Sequence, residues 1–224
     1  MSAADPAAPA VDVSLPVRDR VLRAAAAMAA EHGWRRVRMA AVAERAGVSR
    51  QTVYDQFSTK DNLARGIRAA EVERVVGIAV ATLEAHPDGV VRPAIEAAVQ
   101  AIIDEGRGNA LLKVVLDSGP DGDPELLRLL TSDAAPVFAT VWQGVGPWGM
   151  RSFREIDLAD VAAVIDVIGR VVVSHLVQPG PRDLPVARTV AGMTVAYVEQ
   201  LVAARDAAGG TAPDAAGARG PGRV

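Results

Sequence analysis

The chain contains no cysteine. That removes any disulfide framework and any thiolate metal site, and with them the usual argument for export. Histidine occurs only as His32, His86 and His175, with none of the His, Cys or carboxylate spacing that a metal ion requires. A Gly-x-Ser-x-Gly elbow and a phosphate-binding glycine loop are both missing. No catalytic set, cofactor site or metal site is therefore expected, and the chain does not read as an enzyme. The first residues, Met1 to Val13, are Ala/Pro-rich with two acids and no basic run, which is not the pattern of a signal peptide; a disordered arm over residues 1–14 is expected. The most apolar stretch, Val161 to Val177, is interrupted by Asp166, Arg170 and His175. It reads as a buried or dimer-forming helix instead of a membrane span, and a cytoplasmic protein is expected.

What the chain has is an uneven charge. From Leu15 to Arg68 there are eleven Lys/Arg against five acids, net +6, while the remainder carries thirteen bases and twenty-two acids, net −9. The overall value of −3 hides this split. A basic unit joined to an acidic one is the electrostatic footprint of a nucleic-acid-binding module attached to a non-binding body.

Within the basic segment the residues spell out three helices. In Met39-Ala-Ala-Val-Ala-Glu-Arg-Ala-Gly47, Met39, Val42, Ala43 and Ala46 recur at intervals of three and four and mark one helical face. Gly47 ends that helix, since glycine takes the left-handed conformation without a Cβ penalty. Ser49 restarts the chain as an N-cap. The next helix, Arg50 to Phe57, turns Val53 and Phe57 inward and leaves Arg50, Gln51, Thr52, Tyr54 and Asp55 outward. Ser58 is read as the cap of a further helix, with Asp61 completing a Ser-x-x-acid box. Lys60 falls among that helix's free N–H groups, where a phosphate would compensate its charge against the helix dipole.

These residues resemble the TetR family of bacterial transcriptional regulators. The resemblance runs from about Arg18 to Ile67 and rests on Val21-Leu-Arg-Ala-Ala, His32-Gly-Trp34, Val42-Ala-Glu-Arg-Ala-Gly-Val-Ser49 and Thr52-Val-Tyr-Asp-Gln-Phe-Ser-Thr-Lys60 in order. It implies a DNA-binding set of Arg38, Ser49, Arg50, Gln51, Thr52, Tyr54 and Lys60. By chemistry, Arg suits guanine O6/N7 and Gln suits adenine N6/N7. Tyr54 and Lys60 match family positions that commonly hold backbone phosphate, and Asp55 is expected to point away. Family members often carry a basic arm before the first helix; here that arm is acidic, so minor-groove contacts from it are not expected.

Periodicity makes the rest helical, with no strand required. Expected helices run over Val17–His32, Thr59–Ala85, a segment with Pro93 in its first turn ending near Gly106 and Gly108, Ala110–Leu116, a helix restarting at Asp123, Ser132–Gly144 ending in Gly144-Val-Gly-Pro147, Leu158–Val177 and Pro185–Ala207. The fold class is thus all-α: a helix-turn-helix domain over residues 15–60, a helical effector-binding and dimerisation domain over 61–207, and a Gly/Ala/Pro-rich disordered tail over 208–224. Val161, Val164, Ile165, Ile168, Val171, Val172 and Leu176 surround most of one helix, which demands burial on two sides. In the family the corresponding pair of helices forms a four-helix dimer interface, so a homodimer is implied.

Four of the eight aromatics, Phe138, Trp142, Trp148 and Phe153, crowd one stretch. Such a cluster fits a plain core or the wall of an effector cavity, because small-molecule pockets are mostly apolar and aromatic. Lys113, Asp117 and Gln143 are candidate polar contacts, and His175 fits the dimer helix better. Two function classes suit these features: a dimeric repressor released from a double-stranded operator by a small apolar effector, or a DNA-binding regulator or activator without effector gating. A roomy cavity in the body favours the first, and a solid core favours the second.

Overall fold

The computed structural model describes residues 14–109, 135–177, 180–181 and 184–209. Among them the chain forms α1 (Val17–His32), a 3-10 turn (Trp34–Arg36), α2 (Met39–Arg45), α3 (Arg50–Phe57), α4 (Lys60–Glu84), α5 (Val91–Gly108), α6 (Ala135–Ser152), α7 (Leu158–Val177) and α8 (Val186–Gly209), with no strand. The all-α expectation is met. The N-terminal arm, the helices expected near Ala110 and Asp123 and the tail beyond Gly209 lie outside the described residues.

The helices divide between two apolar cores. Val21, Leu22 and Ala25 of α1, Trp34 of the turn, Val42 and Ala43 of α2, Val53 and Phe57 of α3, and Leu63, Ala64 and Ile67 of α4 form the first. The second gathers Leu83, Ile95, Val99, Ile103, Phe153, Val161, Val164, Ile165, Val172, Ala191 and Val198. Helix α4 contributes to both. At 25 residues it is about 38 Å long, and it holds no proline that would kink it. Gly66 lets its first turns lie close to their neighbours, since a Cβ there would stand 2.9 Å from Leu22 and 3.0 Å from Phe57.

Two local expectations need correcting. Ser58 does not cap α4; it ends α3 with a positive φ of 58°. The chain reverses at Ser58, which leaves Thr59 extended, and the Thr59 side chain accepts the hydrogen bond from the Asn62 N–H at 3.1 Å. Nor does Gly144-Val-Gly-Pro147 stop a helix. Helix α6 continues through Pro147 to Ser152, because its glycines serve close packing. A Cβ on Gly144 would fall 2.3 Å from Val76 Cγ1, and one on Gly149 3.1 Å from Val161 and Ile165.

Helix α7 is apolar on two sides, as its composition required. Val161, Val164, Ile165 and Val172 are buried, whereas Val167 is 59 % and Val171 39 % exposed in the single chain. On α8, Met193 is 69 % and Tyr197 46 % exposed. Arg205 ties the two helices by reaching Asp157 at 2.5 Å and Asp160 at 2.9 Å. The backbone N–H of Asp160 holds the Asp157 carboxyl below the usual carboxylate range, and Arg205 adds to that effect.

The glycine geometry gives a paired prediction. Gly144→Ala drives a methyl into the buried, β-branched Val76, and overpacking of about 1–3 kcal/mol should outweigh a helix-propensity gain of about 1 kcal/mol. Gly77→Ala, on α4 with no atom within 4 Å of its Cβ position, should gain roughly 0.5–1 kcal/mol. Urea melts of both variants check this; equal effects at the two sites would contradict it.

Candidate nucleic-acid interface and body cavity

The turn between α2 and α3 is built by backbone hydrogen bonds. Gly47, at φ 64°, donates to the Glu44 carbonyl at 3.1 Å, and Val48 donates to the Ala43 carbonyl at 3.0 Å. That pair of bonds is the Schellman arrangement, which satisfies the last carbonyls of α2. Ser49 then caps α3: its Oγ accepts from the Thr52 N–H at 3.0 Å and lies 2.8 Å from Thr52 Oγ1. Arg45 fixes the end of α2 to α1 through a two-pronged bond to Glu31 at 2.5 and 2.6 Å. That bond, more than Arg45's charge at a distance, holds the Glu31 carboxyl below its ordinary range.

Helix α3 is anchored from beneath and free above. Val53 and Phe57 are buried, and the Arg18 guanidinium stacks 5.0 Å from the Phe57 ring centroid. Arg50 and Gln51 are exposed and Tyr54 is 49 % exposed. Gln51 donates to Asp55 at 2.7 Å, so these two side chains orient each other. Thr52 is half-buried with its hydroxyl engaged by Ser49. Arg38, just before α2, is exposed.

Lys60 is more constrained than its sequence position implied. Its ammonium donates to the Trp34 carbonyl at 2.8 Å and the Arg35 carbonyl at 3.3 Å, and it stands 5.0 Å from the Trp34 ring centroid. The carbonyls of the 3-10 turn therefore offset the charge that opposes the α4 dipole. Trp34 itself is buried.

Beyond this unit the body holds a partly open cavity of about 270 Å³. One face of α4 from Ala64 to Leu83 forms its floor, and residues of α5, α6 and α7 form its walls. Phe138, Trp148 and Phe153 line it, with Trp148 and Phe153 packed edge to face at 6.1 Å. The Phe138 ring lies against Gly169 and under the Arg170 guanidinium, 4.5 Å from it.

Trp142 and Gln143 are placed elsewhere. The lining positions of α6 follow Phe138, Val141, Val145, Trp148 and Gly149; Trp142 is rotated off that stripe, with its indole over Gly146, and Gln143 faces outward. Neither of these two side chains lines this cavity. His175 packs toward Gly180 and does not line the cavity either. Lys113 and Asp117 lie outside the described residues.

The charged lining residues among those described are Arg68 and Glu71, neither of which stood out in the sequence. Both interrupt the apolar stripe of α4 near its Ala64 end, and that interruption was the available signal. Glu71 accepts from Arg74 at 2.6 Å and from the Asn109 amide, and Arg74 also reaches Glu105 at 2.7 Å. Among the described residues no cluster of three or more His, Cys, Asp or Glu is arranged to hold a metal, and no helix is long and apolar enough to cross a membrane.

Comparison with known proteins agrees with this division. The sequence profile described as "Bacterial regulatory proteins, tetR family" matches residues 21–67, and that of "Bacterial Tetracyclin repressor, C-terminal domain" matches residues 91–196. The chain is 26 % identical over 184 residues, 82 % of its length and 86 % of the other's, to the HTH-type transcriptional regulator AlkX of Mycobacterium tuberculosis. It is similar in structure to the TetR family repressor AlkX from a Dietzia strain, implicated in biodegradation of n-alkanes, with a TM-score of 0.68 and 26 % identity over 82 % of this chain and 98 % of that one. The ligand-free crystal structure of RolR, at 15 % identity and a TM-score of 0.55 over 83 % of this chain and 96 % of that one, shares the fold. With a Schellman-turned helix pair, a Ser49-capped third helix and both family profiles in register, the chain belongs to the TetR family of DNA-binding transcriptional regulators.

Proposed function

We propose that the protein is a cytoplasmic homodimeric repressor that leaves its operator when a small apolar effector fills the body cavity. Residues 15–60 serve as the DNA-binding domain and 61–207 as the effector and dimer domain, with the boundary falling at the start of α4. The observation that carries this reading is the continuity of α4, whose first turns pack under the recognition helix α3 and whose later turns floor the cavity. A ligand acts here only if it binds the DNA-competent and DNA-incompetent dimers unequally. The repressor role of the Dietzia relative supports the sign of regulation.

On the DNA side, Arg50 and Gln51 reach base edges from the start of α3, Tyr54 and Lys60 bind phosphate, and Arg38, Ser49 and Thr52 support the contact. On the dimer side, Val167, Val171, Met193 and Tyr197 supply an apolar seam of α7 and α8 that the single chain leaves open. The test of the whole reading is an unbiased operator selection, followed by measuring which compounds change operator affinity. A coupling of the usual size would lower that affinity about 5- to 150-fold at saturation. Operator binding indifferent to every ligand that enters the cavity would leave a regulator without gating.

Two predictions follow for the faces. Lys60→Ala should weaken binding to all sequences about equally and lower the salt slope by roughly one unit, whereas Arg50→Ala should relax base preference. Titrations at several salt concentrations check both. An unchanged slope would mean that the Lys60 charge serves the Trp34 and Arg35 carbonyls alone.

For assembly, a seam in the larger interface class buries on the order of 2,000 Å² or more. Val171→Asp, which places a charge on the exposed side of α7, should yield monomers by sedimentation and abolish tight operator binding. A variant that remains dimeric would move the interface elsewhere.

A further inference from the structure

The shape of the cavity specifies a class of ligand, an inference that rests on the reading that an effector occupies it. Its floor runs along one face of α4 from Ala64 to Leu83, a span of about 28 Å at the helical rise per residue. The cavity, with a volume of about 270 Å³, follows that length as an elongated slot. Past Glu71 every described lining residue is aliphatic, aromatic or glycine. A compact polyhydroxylated ring there would lose its hydrogen bonds to water and find none in return. An extended hydrocarbon chain has no hydrogen bonds to lose.

The polar groups sit at one end only. Arg68 and Glu71 lie one turn apart at the end nearer the DNA-binding unit, and the wall beside them is Trp34. Trp34 has two further duties: its carbonyl accepts from Lys60 at 2.8 Å, and its ring underlies the same ammonium at 5.0 Å. One buried residue thus touches both the cavity and the lysine at the start of α4.

We propose that the cavity binds a single straight aliphatic chain with one small polar head, the tail lying along α4 toward Leu83 and Trp148, and the head lying at Arg68 and Glu71, where it meets Trp34 and loosens that residue's hold on Lys60. The distance from Glu71 to Leu83, about 18 Å along the helix, limits the tail. Within that limit each methylene adds burial of about 0.8 kcal/mol, which is roughly fourfold in affinity. Arg68 supplies donors, and Glu71, which also accepts from Arg74 and Asn109, supplies an acceptor, so a hydroxyl can use both groups and a carboxylate can use Arg68.

The test uses the full-length wild-type protein with its selected operator and a homologous series of primary alcohols from hexanol to octadecanol. The matched carboxylic acids, the matched alkanes and benzene-1,3-diol serve as further arms. Affinity should rise about fourfold per methylene and level off once the tail exceeds the slot, and benzene-1,3-diol should not bind. In protein carrying 5-fluorotryptophan, with resonances assigned by single Trp→Phe replacements, alcohols or acids should shift both Trp148 and Trp34. Headless alkanes should shift Trp148 alone and release the operator far less.

Affinity independent of chain length would overturn the assignment. So would operator release by an alcohol that leaves Trp34 unmoved, or equal release by alkane and alcohol. Release by benzene-1,3-diol but not by any chain would refute the chain class and leave effector gating standing. Chains that bind with the expected length dependence yet never change operator affinity would refute the gating reading itself, and the Trp34 step with it.

Discussion

One helix belongs to two hydrophobic cores, and the rest of the structure depends on that constraint. Leu63, Ala64 and Ile67 of α4 are buried against α1 and α3, while Leu83, two dozen ångströms or so further along at the helical rise, is buried with α5 and α7. Because α4 has no proline and helices bend sharply only where the hydrogen-bond ladder is interrupted, a tilt imposed at one end is carried to the other. Gly66 tightens the coupling at the DNA end, where Phe57 and Leu22 lie against its bare Cα. At the body end Gly144 brings α6 onto Val76 with the same economy of space.

Electrostatics is divided along the same line. The basic residues concentrate before residue 69 and the acids after it, so the first core carries a surface suited to a polyanion and the second does not. Within the basic unit, several charges also hold structure: Arg45 through Glu31, Arg18 over the Phe57 ring and Lys60 at the carbonyls before α2. Arg50 and Tyr54 remain on the outer face of α3.

Local chemistry made the helix-turn-helix legible in the sequence. Gly47 and Ser49 act through bonds to residues three to five positions away, and the structure contains those bonds. The same kind of reasoning misplaced the next cap by one residue. Ser58 and Thr59 both carry a hydroxyl, and only the direction of the chain reversal decides which one faces α4's free N–H groups. Glycine in α6 misled for a related reason: a stop signal and a close helix contact look alike until the partner, Val76, is known. The cavity wall was read in part, since the spacing of Phe138 and Trp142 marks neighbours on a helix but not which side meets α4. Trp34 enters the sequence reading only within His32-Gly-Trp34, and its place between cavity and Lys60 depends on contacts with residues 26 or more positions away.

On the proposed reading, the cavity and the DNA face exchange free energy through α4. Such coupling is reciprocal for equilibrium binding, so calorimetric titration of one straight-chain alcohol into the free dimer and into the operator-bound dimer tests it directly. Bound operator should weaken alcohol binding by the same factor by which saturating alcohol weakens operator binding, in the range of about 5- to 150-fold. Equal alcohol affinity in the free and operator-bound dimers would contradict it.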